Sequence, residues 1–251
     1  MKTTVGKHKE EDMTSISTVI LGMDGLEYTS QMVDKLVNSN VRLEAVVLDA
    51  TPVDDLSRQL WEERTGNRLP FKPWKEILPD NVPIYVVQNH NSQEMVGIVR
   101  KLGIDLLVNG GTPRILGDDV LGAPRLGVLN VHPGLLPEYR GCTCVEWAVY
   151  QDDPVGNTAH FMSTQIDRGP IIMVSQSDVV GVSSYTDLRV KVYEDGFNLT
   201  VKAIKYIEKY GITSQSAPIA NVGGSYYKPI SDENFQIVLS KISNSEYLYQ
   251  K

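Results

Sequence analysis

Short apolar runs alternate with one-sided amphipathic stretches along most of this chain, and that alternation predicts its architecture. Thr18-Val19-Ile20-Leu21 is a compact β-rich run ended by Gly22. After it, Met32, Val33, Leu36 and Val37 recur at the spacing of a helix with one buried face. Leu43 to Leu48 reads as the next strand, Leu56 to Arg64 as a helix, Pro83 to Val87 as a strand and Gln93 to Leu102 as a helix. Asp105 to Val108 and Gly127 to Val131 supply two further strands. Strands separated by helices of this length predict βαβ units and a doubly wound α/β fold on a mostly parallel sheet. Ligands of such sheets sit outside the carboxyl ends of the strands, where loops lead into helices.

After His132 the pattern changes. A loop rich in proline and glycine, running from Pro133 to Gly141, leads into a short helix from about Thr143 to Tyr150. Two strand-like runs follow, Thr158 to Ser163 and Ile171 to Gln176, with a turn at Asp167-Arg168-Gly169-Pro170 between them. A long helix is predicted from Tyr185 to Tyr210, with Ser183 or Ser184 as its N-cap and Gly211 as a left-handed C-cap. Residues 212–251 read as a C-terminal extension holding Gly223-Gly224, Tyr226, Tyr227 and a final short helix. Residues 1–13 are polar and lack the apolar centre of a signal peptide, so a flexible lead-in is expected, with Met13 as an alternative start. The division is therefore a lead-in over 1–13, one domain over 14–211 and an extension over 212–251.

Composition narrows the function classes. Apolar residues at 41% and charged residues at 22% are those of an ordinary globular protein rather than a disordered one. A net charge of -7 supplies no basic field, which argues against a nucleic-acid partner. No apolar run reaches the roughly 18 residues of a membrane span. Cys142 and Cys144 are the two cysteines, too close for an unstrained bridge and too few for a zinc site. Two reduced thiols in a cytoplasmic, metal-free protein are the expectation.

The candidate chemistry sits at the strand ends. Gly22 and Gly25 flank Met23-Asp24 after the first strand, but Asp24 and Glu27 place negative charge where a phosphate would need a helix N-terminus. A tight turn beside a ligand fits that loop better than dinucleotide binding. Asn130 and His132 alternate along the fifth strand and so share a face. Buried there, each needs a partner. Taken alone, they are either catalytic groups or a loop-bonding asparagine and a histidine that closes a turn before Pro133.

The wider pattern around them is Asn130-Val-His132-Pro133-Gly-Leu-Leu-Pro137, then Tyr139-Arg140-Gly141, then Gln165-Ile166-Asp167-Arg168-Gly169-Pro170. This resembles the folate-dependent formyltransferases, whose members act on glycinamide ribonucleotide, methionyl-tRNA and sugar-nucleotide amines. Upstream, Gly110-Gly-Thr-Pro-Arg114-Ile115-Leu116 looks like that family's loop around the pterin. The resemblance is close over about residues 105–176 and general over 16–210. It implies a Rossmann-like sheet of the formyltransferase type and formyl transfer from 10-formyltetrahydrofolate to an amine. No metal and no covalent enzyme intermediate are implied.

The roles it implies are specific. Asn130 and a protonated His132 would donate to the oxyanion that develops as a neutral amine attacks the formyl carbon. Asp167 would favour the charged imidazole and hold a water that relays the proton to the departing nitrogen. Pro113, Arg114, Ile115 and Leu116 would face the pterin, with the main chain of Arg114 to Leu116 pairing its edge and Leu121 and Ile166 as apolar walls. Pro113 stands where relatives often have a longer apolar residue. His160 resembles a pocket-side position in some relatives, or else is a core histidine bonded to backbone. Arg140 and Gly141 support their loop.

The acceptor is reached by subtraction. Glycinamide ribonucleotide enzymes carry a serine- and asparagine-rich first loop, and this chain has Gly22-Met-Asp24-Gly-Leu-Glu27 instead. The methionyl-tRNA enzymes carry a basic β-barrel after the catalytic domain, and formyltetrahydrofolate hydrolases carry a regulatory domain before it. The extension and the lead-in read as too short for either. A small-molecule amine remains, with a nucleotide-linked amino sugar leading. Gly22, Asp24 and His160 are its candidate binding residues, and Tyr226 or Tyr227 could stack on a base or sugar. A glycinamide ribonucleotide-type transferase, a hydrolase and a non-catalytic folate-binding module stay open. Exposed apolar residues of the extension are a candidate homodimer contact.

Overall fold

β1 (Thr18–Met23) is buried along its whole length and runs inside a seven-stranded sheet, next to its middle strand. The structure, a computed structural model, describes residues 15–251. The lead-in expected over 1–13 lies outside the described residues. Beside β1 run β2 (Leu43–Asp49), β3 (Ile84–Val87), β4 (Leu106–Asn109) and β5 (Gly127–His132), all parallel. Between them lie α1 (Glu27–Asn38), α2 (Asp55–Thr65), α3 (Trp74–Ile77), α4 (Gln93–Leu102) and α5 (Asp118–Leu121). The short strand β6 (Tyr139–Gly141) and α6 (Cys144–Gln151) lead to β7 (Gly156–Phe161) and β8 (Ile171–Gln176). These last two strands join antiparallel, giving the order β3-β2-β1-β4-β5-β7-β8. Antiparallel addition needs only a turn between β7 and β8, where a parallel strand would need a crossover.

The period of two decides which residues meet which helices. Ile20, Val46, Val108 and Leu129 face one side, where Met32, Val33 and Leu36 of α1 and Phe197, Ile204 and Ile207 of α7 (Tyr185–Tyr210) cover them. Val19, Leu21, Ala45, Val47, Leu107 and Val128 face the other, under Met95, Val96 and Val99 of α4. Both faces are covered, which is why the strands read as continuous apolar runs. Ser184 is the N-cap of α7, accepting from Asp187 N–H, and Gly211 ends that helix at φ +62°.

The segment after α7 is built into the domain. β9 (Ser225–Tyr227) pairs in parallel with β6, and α8 (Asp232–Ser243) packs Val238 and Ile242 onto Val145 and Val149 of α6. β6 and β9, and the single turns α3 and α5, are too short to leave a periodic signal. Phe161 is fully buried and its ring lies against Gly127, where an added Cβ would come within 2.8 Å. Phe161→Ala is expected to cost about 3–5 kcal/mol, read as a lowered urea midpoint at unchanged slope.

Candidate active site

The strand order turns outward in both directions from β1 and β4, and the crevice beyond their carboxyl ends is the natural ligand site of this topology. Thr29 ties its two rims together. Its hydroxyl donates to Gly110 O at 2.6 Å and accepts from Met23 N, so the Gly22–Gly25 loop lies against the loop after β4.

Asn130 is oriented at both ends. Its Oδ1 accepts from Asn109 Nδ2 at 2.9 Å, and its Nδ2 donates to His160 Nε2 at 3.0 Å. The second contact follows from the sheet, because β5 and β7 pair with Asn130 opposite His160. His160 Nδ1 donates to Phe161 O at 2.9 Å, which leaves Nε2 as the acceptor. One amide hydrogen of Asn130 stays unused among the described residues. Asn109 also holds the next loop by accepting from the N–H groups of Gly111 and Thr112.

His132 and Asp167 stand beside this pair. His132 Nε2 is 2.8 Å from Tyr139 O, and its Nδ1 is 3.4 Å from Asp167 Oδ2. His160 Nε2 lies 3.8 Å from the other carboxylate oxygen. Asp167 has φ +51°, a left-handed conformation that its surroundings impose. Gly141 N–H donates to Oδ2 at 2.9 Å, and the Asp167 carbonyl accepts from Arg140 Nε at 3.1 Å and Asn221 Nδ2 at 2.9 Å. Arg140 in turn bonds Asn221 Oδ1 and Gly223 O. Gly141 itself sits at φ +92°, and a Cβ there would come within 2.4 Å of Tyr227 O.

Burial pushes the His132 imidazole below its ordinary value, and Asp167 offsets this only in part. That direction works against the protonated His132 read from the residue pattern, because desolvation outweighs one nearby carboxylate. Burial, reinforced by repulsion from His132, lowers His160 to about 4.

The loop after β4 is anchored from below. Asp49, buried at the end of β2, accepts from Arg114 Nε at 2.7 Å, from Arg114 Nη2 and from His90 N–H. Burial works to raise the Asp49 carboxyl, but these bonds together with Thr51 hold it well below the usual carboxylate range. Asn91 fixes Ile115 O and Gly117 N–H. The main-chain groups of Arg114 and Leu116 make no hydrogen bond among the described residues, although Leu116 is buried. Free donors and acceptors beside Ile115 (62% exposed) fit a flat heteroaromatic ring with a hydrogen-bonding edge, and Ile166 (44% exposed) precedes Asp167 in the chain. Pro113 is exposed at the same loop, and Leu121 is half-buried against the α4 face of the sheet.

Of the acceptor candidates, Gly22 is packed on Thr29, Asp24 accepts from Trp74 Nε1 at 2.9 Å, and His160 serves Asn130. Reasoning from residues alone missed Asn109, Asp49 and Asn221. Asn109 ends an apolar strand just as Asn130 does, and that signal was there to use. Asn221 has none.

His160 accepts from Asn130 and resists protonation when folded, whereas the unfolded imidazole titrates near 6.5. Its contribution to stability is thus complete above about 6.5 and is lost as pH falls toward 4. Unfolding free energy should fall across that window with a component of up to about 1.4 kcal/mol per pH unit. His160→Gln should flatten it, and urea titrations of both proteins at several pH values measure the difference.

The family described as formyl transferase matches residues 18–204, more than half of the chain. A methionyl-tRNA formyltransferase of Fusobacterium nucleatum is 27% identical over 180 residues, covering 71% of this chain and 57% of that protein. Another, from Clostridium tetani, is 30% identical over 142 residues, covering 55% and 46%. The chain spans about half the length of these curated relatives. Among solved structures, glycinamide ribonucleotide transformylase 1 from Symbiobacterium toebii aligns with a TM-score of 0.58 at 19% identity, covering 78% of this chain and 89% of that one. A 4-N formyltransferase from Francisella tularensis aligns at 0.57 and 18% identity, covering 85% and 76%. These likenesses show a shared fold. With its sheet order, its strand-end residues and a family match running from β1 into α7, this chain belongs to the formyl transferase family.

Proposed function

We propose that this chain transfers a formyl group from 10-formyltetrahydrofolate to the amine of a small molecule, with a nucleotide-linked amino sugar as acceptor. The observation that carries the reading is Asn130, fixed by Asn109 and His160 with one N–H free, beside the His132–Asp167 pair. Bound reduced folate would supply the electrophilic formyl carbon. The main chain of Arg114 to Leu116 would take the pterin edge, and Ile115 and Ile166 its faces.

Asn130 then presents a preorganised donor where negative charge builds on an acyl oxygen. Such donors are strongest when they need no reorganisation, and here both ends of the amide are already held. His132 acts as proton acceptor rather than donor at the outset. Burial disfavours the charged ring, and in the neutral ring Nε2–H on Tyr139 O leaves the Nδ1 lone pair toward Asp167. A proton from the attacking amine completes an imidazolium flanked by two oxygens, at 2.8 and 3.4 Å, and passes on to the leaving nitrogen.

A second reading has a specific support: the curated relatives are named methionyl-tRNA formyltransferases. Incubation with 10-formyltetrahydrofolate and either a nucleotide-linked amino sugar or methionyl-tRNA separates the two, with tetrahydrofolate release as the readout. Release with the sugar nucleotide is expected, and release with the charged tRNA alone would reverse the acceptor assignment. Asn130→Ala should lower turnover by roughly 10²- to 10³-fold, and Asp167→Asn by roughly 10²- to 10⁴-fold, with folding and folate affinity retained. Turnover within a few-fold of the unaltered protein in both variants would leave a folate-binding module as the better reading.

A further inference from the structure

Between α2, α6 and the segment after α7 lies a cavity of about 510 Å³, lined in part by Leu60, Arg64, Cys142, Glu146, Tyr185 and Phe235. That volume falls in the range of small-molecule sites, about 300–1,000 Å³. Its polar floor is incomplete. Glu146 is only 1% exposed; its Oε1 accepts from Tyr185 OH at 2.5 Å and lies 3.5 Å from Arg189, yet Oε2 has no partner among the described residues. A buried carboxylate oxygen with no donor costs free energy unless something fills the place. Arg64 is influenced through space by Arg189, Tyr193 and Glu146 but bonded to none of them, so its guanidinium is available to the same cavity.

The missing partner must donate to Glu146 and accept from Arg64. A hydroxyl does both, and adjacent hydroxyls on a ring do so at two points. Phe235 and Leu60 offer the apolar face that the C–H side of such a ring covers. Glu63 and Asp232 line the same cavity and oppose the entry of a phosphate or other anion. The cavity also adjoins the chemistry: Gly141 N–H holds the Asp167 carboxylate, and the next residue, Cys142, is cavity wall.

We propose that this cavity seats the hydroxylated ring of an amino-sugar acceptor, with ring hydroxyls on Glu146 and Arg64 and any phosphate left outside. The catalytic meaning of this site rests on the amine-formylating reading above, whereas ring binding is measurable without it. Cys142 is exposed on the cavity wall, while Cys144 is buried and its thiol is pushed up by that burial. Iodoacetamide should therefore label Cys142, and a molecule in the cavity should shield it.

With the full chain and no folate, D-glucose and D-glucosamine should each slow Cys142 alkylation several-fold and saturably. Inorganic phosphate and n-butylamine should not. Leu60→Trp, which fills the cavity from a surface helix position, should abolish the shielding, and Glu146→Gln should weaken it. Equal shielding by phosphate or butylamine, or none by either sugar, overturns the proposal on the unaltered chain, whatever the variants do. Persistent shielding in a folded Leu60→Trp, checked by thermal unfolding, overturns it too. Sugar shielding without any formyl transfer leaves this site standing and removes the proposed activity. Formyl transfer to an amino sugar with KM unchanged in Leu60→Trp and Glu146→Gln does the reverse.

Discussion

Asp167 holds a left-handed turn so that its carboxylate meets His132, and the arrangement of the chain after β5 serves that one placement. A non-glycine residue at φ +51° is strained and persists only when its neighbours over-determine it. Here they do. Gly141 N–H takes the carboxylate, Arg140 and Asn221 take the carbonyl, and Asn221 also reaches Gly169 O. The β7–β8 hairpin returns the turn to the rim, and β6, locked to β9, brings Gly141 to it.

That placement sets the electrostatics. Two buried imidazoles stand within 4 Å of one carboxylate, and a single negative charge cannot support two cations there. Burial depresses both rings, and repulsion from His132 adds to it at His160, which falls to about 4. A neutral His160 keeps the acceptor that Asn130 requires.

Much of this was legible in the residue pattern because local physics writes it there. The period of two in β1, β2, β4 and β5, the one-sided spacing in α1 and α4, and the Ser184 and Gly211 caps of α7 need no distant partner to be recognised. Asn130 and His132 stood out as polar residues on an apolar strand, and Asp167 through the motif around it. What stayed hidden depends on distant pairing. Asn221 is an ordinary loop residue until the chain after α7 folds back, and β9 has no period to detect in three residues. The balance at His132 was only half legible: a nearby carboxylate is visible in a motif, whereas the extent of desolvation appears only in three dimensions.

The same distinction divides the protein along its length. The family match ends at residue 204, and every strand of the main sheet and the Asn130, His132 and Asp167 side chains lie inside it. Asn221, Gly223 and β9, which clamp the Asp167 turn, lie beyond, as do Phe235 and Asp232 on the cavity wall. Residues 212–251, read first as an extension, therefore touch the chemistry at one end and the cavity at the other. The sheet rim carries the Asn130 amide and the His132 imidazole on a strand that the core holds from both faces. The segment laid across α6 builds part of the cavity wall instead, so a change there can alter that wall without disturbing the strands beneath.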